Sequence, residues 1–194
     1  MKSILLVIFS ALTLSGFSQE QIYLDSAWNK IDSPTKAVYY RILERDIQDN
    51  NKVKLIDYYM SGKIQSEADY VDYHNRIKNG KFIMYYENGN IEKNVNYLNG
   101  KKNGKDLAYR KDGMLREETD YVQGEMDGKY IVYFENGKIH ESVAYAADER
   151  NGEHLVYRKT GQLKRIDTYE KGKFVHGKCL DIAGSDTTYF DYEI

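Results

Sequence analysis

Glycine recurs at Gly80, Gly104, Gly128 and Gly152 in steps of 24 residues, and a second series, Gly89, Gly113, Gly137 and Gly161, keeps the same step. A fixed period of this size marks a repeat architecture, in which each unit buries its apolar face only against its neighbours. Four further columns register on the second series. Tyr85, Tyr109, Tyr133 and Tyr157 stand four residues before each glycine, and Ile83, Leu107, Ile131 and Leu155 stand six before. Ile91, Leu115, Ile139 and Leu163 follow by two, and Tyr97, Tyr121, Tyr145 and Tyr169 follow by eight. Weaker copies flank these. Gly62 carries Tyr58, Ile64 and Tyr70 at the same offsets but lies 27 residues before Gly89, so the connection through Asp72–Asn79 is three residues longer. Gly184 keeps Tyr192 yet has Leu180 and Asp186 in the other columns. A terminal unit with altered apolar positions is expected of a cap, since one of its faces has no neighbour.

The columns fall at even spacing, the period of a strand. The segments ENG, KDG, ENG and KTG that end at the second glycine series read as hairpin turns, with glycine supplying the positive φ. The chain holds 19 tyrosines against 6 phenylalanines and 1 tryptophan, and 14 of its 15 glycines follow residue 60, which agrees with strands and tight turns. The expected fold is all-β: an elongated antiparallel sheet of stacked β-hairpin repeats, about 24 residues each, over residues 52–194 with a degenerate last copy. A lone hairpin is marginal in water, so the hairpins must stack. Parity places the Ile/Leu and Tyr columns together on one buried face. On the other face, three residues before the glycine, stand Tyr59, Tyr86, Arg110, Phe134 and Arg158, an aromatic and arginine row that forms the candidate binding surface.

Residues 1–18 read as a signal peptide: Met1-Lys2-Ser3 opens a 14-residue apolar run from Ile4 to Phe17. That is short of the roughly 20 residues a membrane helix needs, and Gly16 and Ser18 suit cleavage before Gln19. The expectation is an exported chain, periplasmic or extracellular. Loss of this leader, which contains one lysine and no acid, takes the net charge from −2 to −3. Residues 19–51 form a lead-in with one strand expected at Ala37–Leu43, a short helix or turn at Asp25–Ile31, and a polar loop at Arg45–Lys54.

Nothing in the chain assembles a reaction centre. No P-loop, dinucleotide fingerprint or nucleophile elbow occurs. His74, His140, His154 and His176 occupy different repeat offsets. His140 and His154 have outward parity, and a metal between them would need Glu141 or Glu153 to converge. Paired acids such as Glu117-Glu118 and Asp148-Glu149 read as solvated faces. A single cysteine, Cys179, allows no internal disulfide and reads as a packed residue. The expectation is therefore a non-enzyme with no catalytic residue, cofactor or metal. A nearly balanced charge, 28 basic against 30 acidic residues, offers no field for nucleic acid and no basic patch for anionic lipid.

The segments GKFIMYYENGNIEKNVNY, GKDLAYRKDGMLREETDY and GKYIVYFENGKIHESVAY resemble the bacterial variant of the MORN repeat, and over residues 52–178 the chain is similar to the YwqK antitoxin family. The resemblance implies an elongated sheet of antiparallel hairpins engaged in protein or membrane-lipid contacts. The residues and the resemblance together lead to one expectation, an exported repeat scaffold whose main partner is a protein. Alternatives are an antitoxin or immunity-like protein that neutralises a toxin, and a module for envelope polymer, glycan or membrane lipid. Open sheet edges also leave room for a dimer.

Overall fold

A computed structural model describes residues 17–191, with side chains over 18–187. The leader expected at 1–18 therefore lies outside the described residues up to Gly16. Among the described residues fifteen strands form one antiparallel sheet. The first three are β1 (Phe17–Leu24), β2 (Lys30–Ile31) and β3 (Tyr39–Asp46). Six hairpins follow: β4 (Val53–Tyr59) with β5 (Ile64–Asp72), β6 (Ile77–Tyr85) with β7 (Ile91–Leu98), and β8 (Lys101–Tyr109) with β9 (Leu115–Val122). Then come β10 (Glu125–Tyr133) with β11 (Ile139–Ala146), β12 (Glu149–Tyr157) with β13 (Leu163–Glu170), and β14 (Lys173–Leu180) with β15 (Asp186–Asp191). Spatial order follows chain order from β3 to β15, and β1 lies between β3 and the two-residue β2. Among the described residues the only helical element is a 3-10 turn at Pro34–Lys36, so no helix layer covers the sheet. The fold expectation holds.

One irregularity repeats in all six hairpins. Met84 faces Lys93, yet its neighbour Tyr85 faces Ile91, so one residue of β7 is extra. The same slip separates Ala108–Glu117 from Tyr109–Leu115, Val132–Glu141 from Tyr133–Ile139, and Val156–Arg165 from Tyr157–Leu163. It recurs beside Tyr58–Ile64 and Leu180–Asp186 in the flanking copies. A bulge of one residue reverses the parity of everything beyond it. The expectation of a single face for all the even columns is therefore corrected: the Ile/Leu columns and Tyr85, Tyr109, Tyr133 and Tyr157 share one face, whereas Tyr97, Tyr121, Tyr145 and Tyr169 point to the other. Between β13 and β14 the slip is one residue. Between β7 and β8, β11 and β12, and β9 and β10 it is two, as at Met126–Tyr130 against β9, which preserves parity. Gly128 sits inside that slip at φ 120°, and a Cβ there would lie 2.7 Å from the Asp120 Cβ.

Cross-strand partners trace one row straight across the second face: Leu43, Leu55, Ala68, Phe82, Val95, Asp106, Thr119, Tyr130, Val143, His154 and Asp167. Among the described residues five of the eleven buried apolar side chains lie on this row, Leu43, Leu55, Ala68, Val95 and Val143, with Leu43 and Val95 each only 1% exposed. The driest cluster is Leu43, Val53 and Leu55, packed by Ile22, Tyr70 and Tyr73. Burial in a single layer comes from flanking side chains on neighbouring strands, each apolar residue contributing about 1.5–3 kcal/mol. The opposite face alternates Ile/Leu with polar residues, as in the sequence of partners Glu67, Ile83, Asn94, Leu107 and Glu118. Ile83 and Leu107 remain half-exposed there.

The same face also holds the buried acids Asp57, Asp106 and Asp167, and each has a cation. Arg41 grips Asp57 through two hydrogen bonds, Nε to Oδ1 at 2.7 Å and Nη2 to Oδ2 at 3.0 Å, and the Ser66 hydroxyl donates to Oδ2 at 3.1 Å. A buried carboxylate is tolerated only with such pairing.

The lead-in differs from the expectation of one strand, because residues 17–46 form three. The strand expected at Ala37–Leu43 is β3, displaced to Tyr39–Asp46 so that its whole length pairs with β1. Asp25–Ile31 is a turn closing into β2; Asp25 Oδ1 accepts from the backbone N–H of Ala27 and Asn29. Polar residues of β1, such as Gln19 and Glu20, concealed that strand from the alternation argument.

Candidate binding surface

The row Tyr59, Tyr86, Arg110, Phe134 and Arg158 does lie along one margin of the sheet, at the hairpin turns. Its polar groups, however, point along the sheet into the next repeat. Tyr59 Oη donates to the Tyr85 carbonyl at 3.1 Å and Tyr86 Oη to the Tyr109 carbonyl at 2.8 Å. Arg110 Nη2 donates to the Tyr133 carbonyl at 2.6 Å, and Arg158 Nη2 to the Leu180 carbonyl at 2.7 Å. Each acceptor is the residue four before the next turn glycine, so the row is a ladder of ties between repeats. Phe134 has no donor to offer; its ring lies 4.4 Å from the His140 ring. The turns add parallel ties, among them Asn88 Nδ2 to the Lys111 carbonyl and Asn136 Nδ2 to the Lys159 carbonyl.

The concave feature of the sheet lies on the face of the buried row, as a groove of about 450 Å³. Strands β6 to β11 line it, and Asp106 is the buried acid of its lining. Lys102 Nζ donates to Asp106 Oδ2 at 2.6 Å, and Lys93 Nζ approaches the same oxygen at 3.4 Å. Burial lowers the Lys102 pKa, but the hydrogen bond and charge of Asp106 outweigh it and leave the ammonium above its ordinary value. The same ammonium lies 4.4 Å from the centroid of the Tyr121 ring. Arg116 Nε meets Glu117 Oε1 at 3.1 Å, both side chains rising on the groove side because the bulge falls between them. Met84, Glu92, Met126, Tyr130 and Tyr145 complete the rim. Burial, with Glu117 and Glu141 nearby, raises the Tyr130 pKa, so the phenol stays neutral.

The groove shows what sequence reasoning missed. A column eleven residues before the turn glycine reads Lys78, Lys102, Met126 and Arg150, and three of these place a cation against the tyrosine eight residues after that glycine. Lys78 lies 5.2 Å from the Tyr97 centroid, Lys102 4.4 Å from Tyr121 and Arg150 5.2 Å from Tyr169. The alignment of these columns was visible in the sequence; the bulge that brings them to one face was not.

His140 and His154 do not meet. The outward placement expected of His154 is corrected: it is buried, with Nε2 3.1 Å from Glu141 Oε2 and Nδ1 3.5 Å from Asp167 Oδ2, because the row it occupies is the inward one. Glu153 is exposed and takes no part. Among the described residues no group of three or more His, Cys, Asp or Glu side chains is placed to hold a metal ion. Cys179 is a half-buried free thiol.

No curated protein matches the chain. A family model, MORN repeat variant, matches residues 78–99 and 126–146. Each matched segment coincides with one hairpin, β6–β7 and β10–β11, two periods apart. In these two hairpins the chain is similar to the MORN repeat variant.

Proposed function

We propose that this chain is an exported, non-catalytic scaffold that binds a protein along the groove face. The observation that carries the reading is the groove itself, tyrosine- and methionine-lined, with both signs of charge, crossing six strands of a sheet that has no second layer among the described residues. Aromatic residues, methionine and arginine around a partly desolvated centre are the composition of a protein interface. Its ionisable groups pair with one another, Lys102 and Lys93 with Asp106 and Arg116 with Glu117, which favours recognition over proton transfer. Similarity to a repeat variant whose hairpins stack into scaffolds supports the same reading.

The test is affinity capture from an envelope fraction with the wild type, with Lys93→Met and Arg116→Glu in the groove, and with Phe134→Ala on the turn margin. The reading expects a partner that survives Phe134→Ala and is lost with either groove variant. Loss with Phe134→Ala alone, or equal retention by all three variants, overturns it. A toxin as the captured partner would make the scaffold immunity-like, in line with the resemblance of residues 52–178 to the YwqK antitoxin family.

A further inference from the structure

The connection that is three residues longer than the 24-residue step builds a second site. The longer turn after β5 carries Tyr73, His74 and Arg76, and it packs against the β3–β4 turn through the Tyr73 N–H, which donates to the Asn51 carbonyl at 2.9 Å. Between the two turns lies a pocket of about 310 Å³ lined by Arg45, Asn50, Asn51, Tyr73, His74 and Arg76. The guanidinium carbons of Arg45 and Arg76 each lie 5.3 Å from the centroid of the Tyr73 ring, so they are at most twice that distance apart. The ring is a fixed platform, packed on the Leu43 cluster and set edge-on to Tyr70 at 5.5 Å.

No carboxylate lines this pocket. Glu20 reaches Arg45 Nη2 only at 3.4 Å, on an exposed edge. Asp46 and Asp49 serve turn amides, with Asp49 also 3.6 Å from Lys52. Asp72 is held by the backbone and side-chain amides of Asn75. Lys78, close by, has its ammonium among the Tyr70, Phe82 and Tyr97 rings, and burial together with Arg76 lowers its pKa. On a chain of net charge −2, this corner concentrates positive charge.

We infer that the pocket between the β3–β4 and β5–β6 turns is a binding site for a small multivalent oxyanion group of the phosphate or sulfate type, held by the Arg45 and Arg76 guanidiniums. Two guanidinium forks that line one pocket suit a multivalent oxyanion, which accepts several charge-assisted hydrogen bonds at once. Asn50, Asn51 and His74 add side chains with further donors at the rim. The site is separate from the groove and does not depend on its occupant.

The experiment is a titration followed by amide and histidine NMR, with inorganic phosphate, sulfate and acetate as probes and chloride holding ionic strength constant. The variants are Arg76→Gln, Arg76→Lys and Arg45→Gln, with Lys111→Gln as a distant loss of the same charge. Saturable shifts with phosphate or sulfate, confined to residues around 45, 50–51 and 73–78, are expected. Arg76→Gln should weaken the response by about tenfold or more, Arg76→Lys by less, and Lys111→Gln by under about twofold. Shifts that never saturate, that acetate or chloride reproduces, or that Arg76→Gln and Lys111→Gln reduce alike would refute the site. Spectra unchanged away from the pocket show that the variants remain folded.

Discussion

Removing the Tyr86 hydroxyl tests the ladder between repeats most simply. Tyr86→Phe deletes a donor 2.8 Å from the Tyr109 carbonyl and leaves the half-buried ring in place. A hydrogen bond of this kind contributes about 0.5–1.5 kcal/mol net. In a sheet where each hairpin contacts only its neighbours, that loss should stay local. Native-state hydrogen exchange should then accelerate by about 2- to 13-fold in the strands joined by the tie, β6 to β9, with little change from β12 to β15. The reciprocal variant is Phe134→Tyr, which supplies a donor at the one position of the row that lacks it and should slow exchange around the Tyr157 carbonyl by a similar factor. Acceleration spread evenly over all the strands would show one cooperative block. Unaltered exchange in β6–β9 would show that the tie contributes nothing. Either result would refute the reasoning.

Arg41→Ala leaves the Asp57 carboxylate, 4% exposed, without its bidentate partner and should cost about 3–5 kcal/mol, whereas Arg41→Ala with Asp57→Ala should recover part of that loss in a thermal or urea melt. Gly128→Ala brings a methyl within 2.7 Å of the Asp120 Cβ at a φ of 120° and should cost about 2–4 kcal/mol; Gly62→Ala, with nothing within 4 Å, should cost only about 1–2 kcal/mol from its φ. Tyr85 is pushed up to about 12 by burial and by its hydrogen bond to Glu67, whose Oε1 accepts at 2.6 Å. A phenol whose folded pKa is raised contributes stability below its unfolded value that is lost as pH rises through the folded one. The stability difference between wild type and Tyr85→Phe should therefore be constant from pH 7 to about 9 and shrink between about 10 and 12; a difference that grows over that range contradicts the bond.

The repeat was legible because its glycines mark turns, and turn residues are dictated locally. Every hairpin from β4 to β15 follows from those columns and the period of two. The faces were not legible, since one extra residue per hairpin reverses them and the residue at the bulge varies freely: Gln65, Glu92, Arg116, His140 and Lys164. The donors of Tyr59, Tyr86, Arg110 and Arg158 end on carbonyls of the next repeat, a tie between units that the residue pattern within one unit does not show. His154 read as outward because the acids that enclose it, Glu141 and Asp167, come from neighbouring strands 13 residues away on either side. The lead-in failed on composition: β1 is mostly polar where it is described, and pairing with β3 rather than alternation makes it a strand.

Oxidative footprinting of the full chain in native extract, with and without depletion of the captured partner, separates the two faces directly. Met84, Met126, Tyr121 and Tyr145 report on the groove, while Tyr85, Tyr109 and Tyr133 report on the reverse. Recognition along the groove predicts protection of the first set alone, released when the partner is removed. Protection of the second set, or of neither, would contradict it.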